Sequence, residues 1–143
     1  MAEQLFQIGI KGLIRDKQGK VLLLKVPAWD GNPEYWDMPG GRMDPGETFV
    51  QTLRRELQEE IGVDYTGEPR QLGAVLSSVK ITVGDARVSL VLVPYEVRLP
   101  DGIEIKLNPA DHHEGLDWFT PAEAAKLLAV KYTPDFCEMV AAL

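Results

Sequence analysis

The apolar and polar positions of the chain predict several β-strands around one long amphipathic helix. Four apolar runs have the length of strands, and the polar stretches between them contain the turn residues that connect strands. Gly84-Asp85 separates the last two runs and is a hairpin turn signal. The predicted strands span residues 5–14, 21–26, 71–83 and 86–97.

The predicted helix runs from Thr48 to Ile61. Its apolar residues recur at steps of three and four positions, so they form one stripe along the helix. Thr48 and Gln51 have the spacing of a capping box, and Gly62 is a typical C-terminal stop. The stripe consists of Val50, Leu53, Leu57 and Ile61.

Shorter elements follow from local composition. Pro94 interrupts the fourth run, which predicts that this strand lies at an edge of the sheet or is bulged there. Thr120-Pro121 and Thr133-Pro134 each open a helix, the first of which extends to about residue 129. Residues 27–35 and 108–115 are loops by composition, 36–38 and 116–119 are short extended pieces, and 103–107 is a candidate strand. These elements predict an α/β fold with a mixed sheet, in one domain over residues 1–143.

Three glutamates crowd the long helix beside its apolar stripe. Glu56 and Glu60 are like charges one turn apart, which costs about 0.2–0.5 kcal/mol. Glu59 and Glu60 lie in the last turn, where the helix dipole favours cations by roughly 0.3–1 kcal/mol per charge. One interpretation is a solvated acidic face that Arg54 and Arg55 partly neutralise. The other is a site for Mg²⁺ or Mn²⁺, which take carboxylate ligands and share their remaining positions with water and phosphate.

The residues from Gly41 to Val63 fill the pattern G-x5-E-x7-R-E-U-x-E-E-x-G-U, where U is aliphatic, without any departure. This pattern resembles the signature of the Nudix hydrolases, and the preceding WDMPGG resembles the usual approach to it. The resemblance implies a Nudix-type α/β/α sandwich with a mixed β-sheet, in which the signature forms a loop, a helix and a loop. It also implies Mg²⁺-dependent hydrolysis of a nucleoside diphosphate linked to another moiety.

The same resemblance implies a role for each signature residue. Arg55 and Glu47 look like the supporting pair that holds the loop and the helix in register, because a bidentate Arg–carboxylate contact suits that role. Glu56 and Glu60 complete the implied catalytic set. The implied metal ligands are the Gly41 carbonyl and the carboxylates of Glu56, Glu59 and Glu60.

The base that activates water differs among the enzymes that this chain resembles. Glu56 is the first candidate, and Glu114 in the later polar loop is its rival. A lone glutamate in such a loop is more often simply solvated. His112 and His113 are likewise expected to face solvent rather than to bind a metal.

The sequence gives only hints about the substrate. Trp29 and Tyr35 lie in the loop before the Gly-rich turn, where they either stack on a base or cover the edge of the core. The Pro that marks ADP-ribose hydrolases downstream of the signature is absent, because that region reads Ser77-Ser78-Val79. The Tyr that marks dinucleoside-polyphosphate hydrolases is absent too. Nucleoside triphosphates, nucleotide sugars and other diphosphates therefore remain open.

Composition and charge narrow the classes of partner. The net charge of −7 argues against general binding to nucleic-acid backbones, so a small nucleotide-type diphosphate is the expected partner. No apolar run approaches the ~20 residues that a membrane helix needs, and the start of the chain lacks the pattern of a signal peptide. The lone Cys137 cannot form an internal disulfide, which suits a reducing cytoplasm. Oligomeric state is open, with a homodimer as one option.

Two other functions compete with the enzyme. A catalytically silent module of the same fold would bind nucleotides without turnover, but such a module would be expected to lose signature carboxylates, and this chain keeps them all. A relative of the isoprenoid-diphosphate isomerases is disfavoured by the intact signature and by the absence of a cysteine near the expected site.

Overall fold

A computed structural model describes residues 3–143. In this range the chain forms one mixed sheet, three α-helices and a short 3₁₀ turn at Pro109–Asp111. The strands are β1 (Phe6–Arg15), β2 (Val21–Val26), β3 (Tyr35–Asp37), β4 (Gly40–Arg42), β5 (Arg70–Gln71), β6 (Val75–Val83), β7 (Ala86–Arg98) and β8 (Gly115–Phe119). The helices are α1 (Phe49–Ile61), α2 (Pro121–Leu128) and α3 (Pro134–Ala141).

The sheet is built around β1 and β7, which pair in parallel over the whole length of β1. All of its other pairs are antiparallel: β2 and β4 with β1, β3 and β8 with β2, and β5 and β6 with β7. Successive side chains of a strand point to opposite faces. On β2, Leu22 and Leu24 therefore join the core under α1, while Val21 and Leu23 join the core under α2 and α3. The two cores confirm the predicted α/β/α sandwich.

Helix α1 confirms the helix predicted over residues 48–61. The Thr48 hydroxyl accepts from the Gln51 amide, and the Gln51 side chain accepts from the Thr48 amide, which completes the capping box. Gly62 ends the helix in the left-handed conformation, with φ +68°. Within the predicted stripe Val50 is only partly buried, and Leu53, Leu57 and Ile61 are fully buried. No helix in residues 3–143 is long and apolar enough to cross a membrane.

The predicted strand at residues 103–107 is wrong. This segment pairs with no strand and instead passes the C-terminal end of α1. The Lys106 amide donates to the Ile61 carbonyl at 2.9 Å, and the Asn108 amide donates to the Glu60 carbonyl at 3.1 Å. The last carbonyls of a helix lack partners within the helix, so this segment satisfies two of them.

The strand predicted over residues 71–83 is broken in the structure. Residues 72–74 separate β5 from β6 and lie opposite only Val93 and Pro94 of β7, because Gln71 pairs with Tyr95 and Val75 pairs with Leu92. The predicted edge position of Pro94 is wrong, since β7 lies between β1 and β5–β6. An irregularity is present near Pro94 as predicted, but the extra residue lies in the segment between β5 and β6 and not in β7. This break lets a central strand carry a proline that has no amide hydrogen to donate.

Candidate active site

Two glycines bring the start of the signature against α1. Gly40 and Gly41 lie in β4, which pairs with β1 and was not predicted as a strand. Gly40 has φ +150°, and a Cβ at this position would overlap the Ile10 carbonyl oxygen and lie 2.9 Å from the Lys11 Cα. The Gly40 amide donates to Glu60 Oε1 at 2.7 Å. The loop therefore contacts the last turn of α1 through a bond that requires glycine at this place.

Glu56 lies directly beside Gly41. A Cβ on Gly41 would overlap the Glu56 carboxyl group, with Oε2 at 2.7 Å. The carboxyl group thus occupies the place that a side chain at position 41 would take. The Glu56 side chain is 13% exposed, so solvent still reaches it. The site formed by Glu56, Glu60 and the Gly40–Gly41 loop is called the recess below.

Glu60 is buried next to Glu56 and has an unusual pKa. Burial raises the pKa of Glu60 to about 8, and Glu56 adds to the rise, while the Gly40 amide and Lys11 oppose it. Two carboxyl groups that disfavour each other's charge are stabilised when a cation binds between them. Hard oxygen donors of this kind suit Mg²⁺ or Mn²⁺, so the residues present fit a divalent metal ion.

Glu59 is not brought into the same recess. Its side chain is 51% exposed, and its Oε2 lies 3.4 Å from Arg55 Nη1, the same nitrogen that donates to Glu56 Oε1 at 2.9 Å. Within residues 3–143, no group of three or more acidic, histidine or cysteine side chains is already arranged around a point that a metal ion can occupy. The structure therefore brings two of the three predicted acidic ligands together, while the third is more exposed and lies against Arg55.

Arg55 and Glu47 form the bidentate pair that the pattern predicts. Arg55 Nε donates to Glu47 Oε2 at 2.7 Å, and Nη2 donates to Glu47 Oε1 at 3.0 Å. The Asp44 amide and the Thr52 hydroxyl also donate to Glu47 Oε1. The Arg55 guanidinium, followed by the Asp44 amide, lowers the pKa of Glu47 to about 2. Arg55 Nη2 also reaches the Arg42 carbonyl, so the pair joins the loop to the helix.

The low pKa of Glu47 predicts a loss of stability in acid. A carboxyl group whose pKa is lowered on folding stabilises the native state above its unfolded pKa, near 4.5, and this contribution is lost as the pH falls towards 2. We expect Glu47→Gln to melt below the wild-type protein at pH 6 and the difference to disappear by pH 2, as measured by circular dichroism. A difference that persists unchanged at pH 2 would contradict the assignment.

Glu114 and the two histidines differ in how exposed they are. Glu114 is exposed, and its Oε1 is 3.6 Å from Lys25 Nζ. His112 is exposed, as expected. The expectation for His113 is wrong: it is partly buried, its Nδ1 has no hydrogen-bond partner, and burial lowers its pKa.

A cleft of about 790 Å³ opens beside β3. The indole of Trp29 is 79% exposed, so this side chain does not cover the core. Tyr35 is partly buried and stands at the start of β3, six positions before Gly41. Most of the lining is apolar or aromatic, as in many ligand clefts. The cleft is lined by Val26, Pro27, Trp29, Asn32, Pro33, Tyr35, Ser78, Val79, His112, Val130 and Lys131.

Asp37, which the sequence interpretation missed, is bound to Lys131 of the cleft lining. It is buried at the end of β3 and accepts hydrogen bonds from the Tyr132 hydroxyl, the Met38 amide and Lys131 Nζ. Lys11 Nζ is 4.0 Å away. Burial opposes the charge on Asp37, but the two lysines outweigh it and hold its pKa below the usual value. The sequence did contain a signal for this residue, because Asp37 is an acidic residue within the apolar stretch before Gly40-Gly41.

Comparisons with known proteins agree with this architecture. The NUDIX domain family model matches residues 5–138. The chain is 31% identical over 117 residues to the CTP pyrophosphohydrolase of Escherichia coli K12, covering 82% of this chain and 78% of that protein. It is 44% identical over 55 residues to the 8-oxo-dGTP diphosphatase of Proteus vulgaris, covering 38% of this chain and about half (49%) of that protein. The MutT NUDIX hydrolase structure from Burkholderia pseudomallei superposes with a TM-score of 0.68 at 24% identity, covering 96% of this chain and 97% of that one.

Proposed function

Since the chain belongs to the Nudix family of hydrolases, we propose that it hydrolyses a pyrophosphate linkage in a nucleoside diphosphate joined to another group, with the help of Mg²⁺ or Mn²⁺. One observation carries this proposal. Glu56 and Glu60 converge beside the Gly40–Gly41 loop, in a recess where a bound cation would stabilise both carboxylates in their charged form. Nucleoside triphosphates are the favoured class, because the two relatives above are named for such substrates.

The metal ligands in this proposal are Glu56 and Glu60 with the Gly41 carbonyl, and Glu59 joins them if it leaves Arg55. A divalent ion bound there supplies neutralisation of phosphate charge and a water of lowered pKa. The main contribution of the protein is positioning of the reacting groups, because phosphoryl transfer needs little covalent participation by the protein. The Arg55–Glu47 pair performs it by fixing the loop against α1.

Glu56 is the proposed base that takes the proton from water. Its Oε1 accepts from Arg55 Nη1, so Oε2, the oxygen that Arg55 does not bind, is the proposed acceptor. The rival base Glu114 is exposed and its carboxylate lies against Lys25, which makes it the less suitable acceptor.

The nucleoside part of the substrate belongs in the cleft beside β3 in this proposal. Trp29 and Tyr35 both line it, and an exposed indole and a phenol ring are suited to stack on a base. β3 and the residues after it run directly from Tyr35 to Gly41. A ligand whose base lies in the cleft can thus extend its phosphates along this segment towards the acids.

We extend the proposal to the partners, the location and the oligomeric state of the enzyme. Small nucleotides rather than nucleic-acid backbones are its substrates, in keeping with a net charge of −7. A cytoplasmic location accords with the single cysteine of the chain, Cys137, and a homodimer is compatible with the fold.

Substrate identity is tested by incubating the protein with Mg²⁺ and a panel of nucleoside triphosphates, nucleotide sugars and dinucleoside polyphosphates. Chromatography of the products should find a nucleoside monophosphate from one class. The alternative, a nucleotide-binding module without turnover, is favoured by the way Arg55 already neutralises Glu56 and Glu59. Binding without product across the whole panel would support that alternative and reject hydrolysis.

A further inference from the structure

The floor of the cleft contains a charged group that the proposed hydrolysis does not use. Lys131 lies on the turn after α2 and contributes to the lining of the cleft. Its Nζ donates to Asp37 Oδ2 at 2.8 Å, and its side chain is 38% exposed. The ammonium also lies 5.4 Å from the centre of the Tyr35 ring. One end of this side chain is thus anchored in the protein while the cleft still reaches it.

Asp37 holds Lys131 rather than serving a ligand itself. Its carboxylate is 10% exposed, and both of its oxygens are occupied, Oδ1 by the Tyr132 hydroxyl and the Met38 amide and Oδ2 by Lys131. Oδ1 thus has two donors, and Oδ2 is held by the ammonium itself. The part of the network that faces the cleft is the ammonium.

The ammonium keeps its charge in this setting. Burial disfavours the charge on Lys131, but Asp37 and the Tyr35 hydroxyl outweigh burial and raise its pKa. An ammonium has three donor hydrogens and no acceptor. One hydrogen is used on Asp37 and a second faces the Tyr35 hydroxyl, so one is left for an acceptor in the cleft, and it repels a donor there.

We propose that Lys131 determines which base the cleft accepts, by donating to a carbonyl oxygen on the base edge of a nucleotide. This inference rests on the proposed function, because it assumes that the nucleoside part of the substrate occupies the cleft. Guanine presents O6 and N7 side by side, and cytosine presents O2 beside N3. Adenine has no carbonyl oxygen, and its exocyclic amino group is a donor. Nucleotides of guanine or cytosine are therefore preferred to those of adenine.

The test measures kcat and KM for GTP, CTP and ATP in the wild-type protein and in Lys131→Met. Methionine retains the length of the side chain and removes its donors. We expect KM for the preferred nucleotide to rise about 10- to 100-fold with kcat little changed, because a hydrogen bond to a charged group is worth a factor of this size. The ratio between that nucleotide and ATP should shrink by the same factor. Lys126→Met, an exposed lysine on α2, is the matched control and should retain the wild-type ratios.

The outcomes separate this inference from others. A rise in KM that is equal for all three nucleotides would mean that Lys131 binds phosphate or supports the fold, and would overturn the proposal. Unchanged ratios, or a wild-type protein that does not discriminate, would overturn it too. Lys131→Met removes a hydrogen-bond donor from Asp37 and leaves a buried carboxylate with fewer partners. The double variant Asp37→Asn/Lys131→Met, which has no carboxylate at this position, is therefore measured alongside.

A failure of the proposed hydrolysis is distinguishable from a failure of this inference. If no triphosphate is turned over, the hydrolysis is rejected, and calorimetric binding of GMP, CMP and AMP decides the role of Lys131 instead. Preference for GMP or CMP over AMP that Lys131→Met abolishes supports the inference. Equal binding of the three, or a preference that survives the substitution, overturns it.

Discussion

Glu60→Gln should lower kcat at least 100-fold with Mg²⁺ and leave the fold intact. The amide has the size of the carboxyl group, and its oxygen can still accept from the Gly40 amide, which donates to Glu60 Oε1 at 2.7 Å. What it removes is one negative charge from the pair that Glu60 forms with Glu56. Loss of a group that stabilises charge in the transition state typically costs a factor of 10²–10³. Initial rates, circular dichroism and thermal melting measure the two effects separately.

A matched control is available a short distance beyond the helix. Glu68→Gln makes the same chemical change at an exposed loop position and should retain wild-type turnover. Because burial raises the pKa of Glu60, the metal-free Glu60→Gln variant should also be at least as stable as wild type at pH 8 and above. Wild-type turnover in Glu60→Gln would refute the assignment of this residue to the metal.

Gly40→Ala should produce the largest loss of stability in the signature region. The positive φ of +150° alone costs an L-residue roughly 1–3 kcal/mol. The new Cβ would also meet the Ile10 carbonyl and the Lys11 Cα, which are backbone atoms of the central strand β1 and cannot move aside. We expect the free energy of unfolding to fall by about 3 kcal/mol or more, as measured by urea denaturation.

Gly46→Ala separates the two contributions to this loss. Gly46 also has a positive φ, +83°, but nothing lies within 4 Å of its absent Cβ. Its substitution should cost only the conformational penalty, roughly 1–2 kcal/mol. Equal losses for the two variants would show that the close approach of β4 to β1 does not constrain this loop.

The helix was predictable from its sequence because its signals are local. Thr48, Gln51 and Gly62 determine its ends within the helix itself, and the stripe that packs against the sheet lies within four turns. The strand expected at residues 103–107 failed for the opposite reason. The segment has the apolar residues of a strand, but the amides of Lys106 and Asn108 donate to the C-terminal end of α1. No local sequence pattern indicates this partner.

The candidate site was likewise predictable only in part. The resemblance of the signature to the Nudix hydrolases implied the bidentate pair of Glu47 and Arg55, which the structure has. The position of Asp37 against Lys131 joins residues 94 positions apart, so no spacing rule relates them. Likewise the contact of Arg55 with both Glu56 and Glu59 depends on side-chain conformation, and the periodicity of a helix does not specify it.

The claim that Glu56 and Glu60 bind a divalent cation beside the Gly40–Gly41 loop is tested most directly by titration with Mn²⁺. Electron paramagnetic resonance reports the free ion in the presence of a nucleoside monophosphate. We expect saturable binding to the wild-type protein, weaker by at least tenfold in Glu60→Gln and unchanged in Glu68→Gln. Binding of equal strength in all three proteins, or no binding to the wild-type protein, would contradict it.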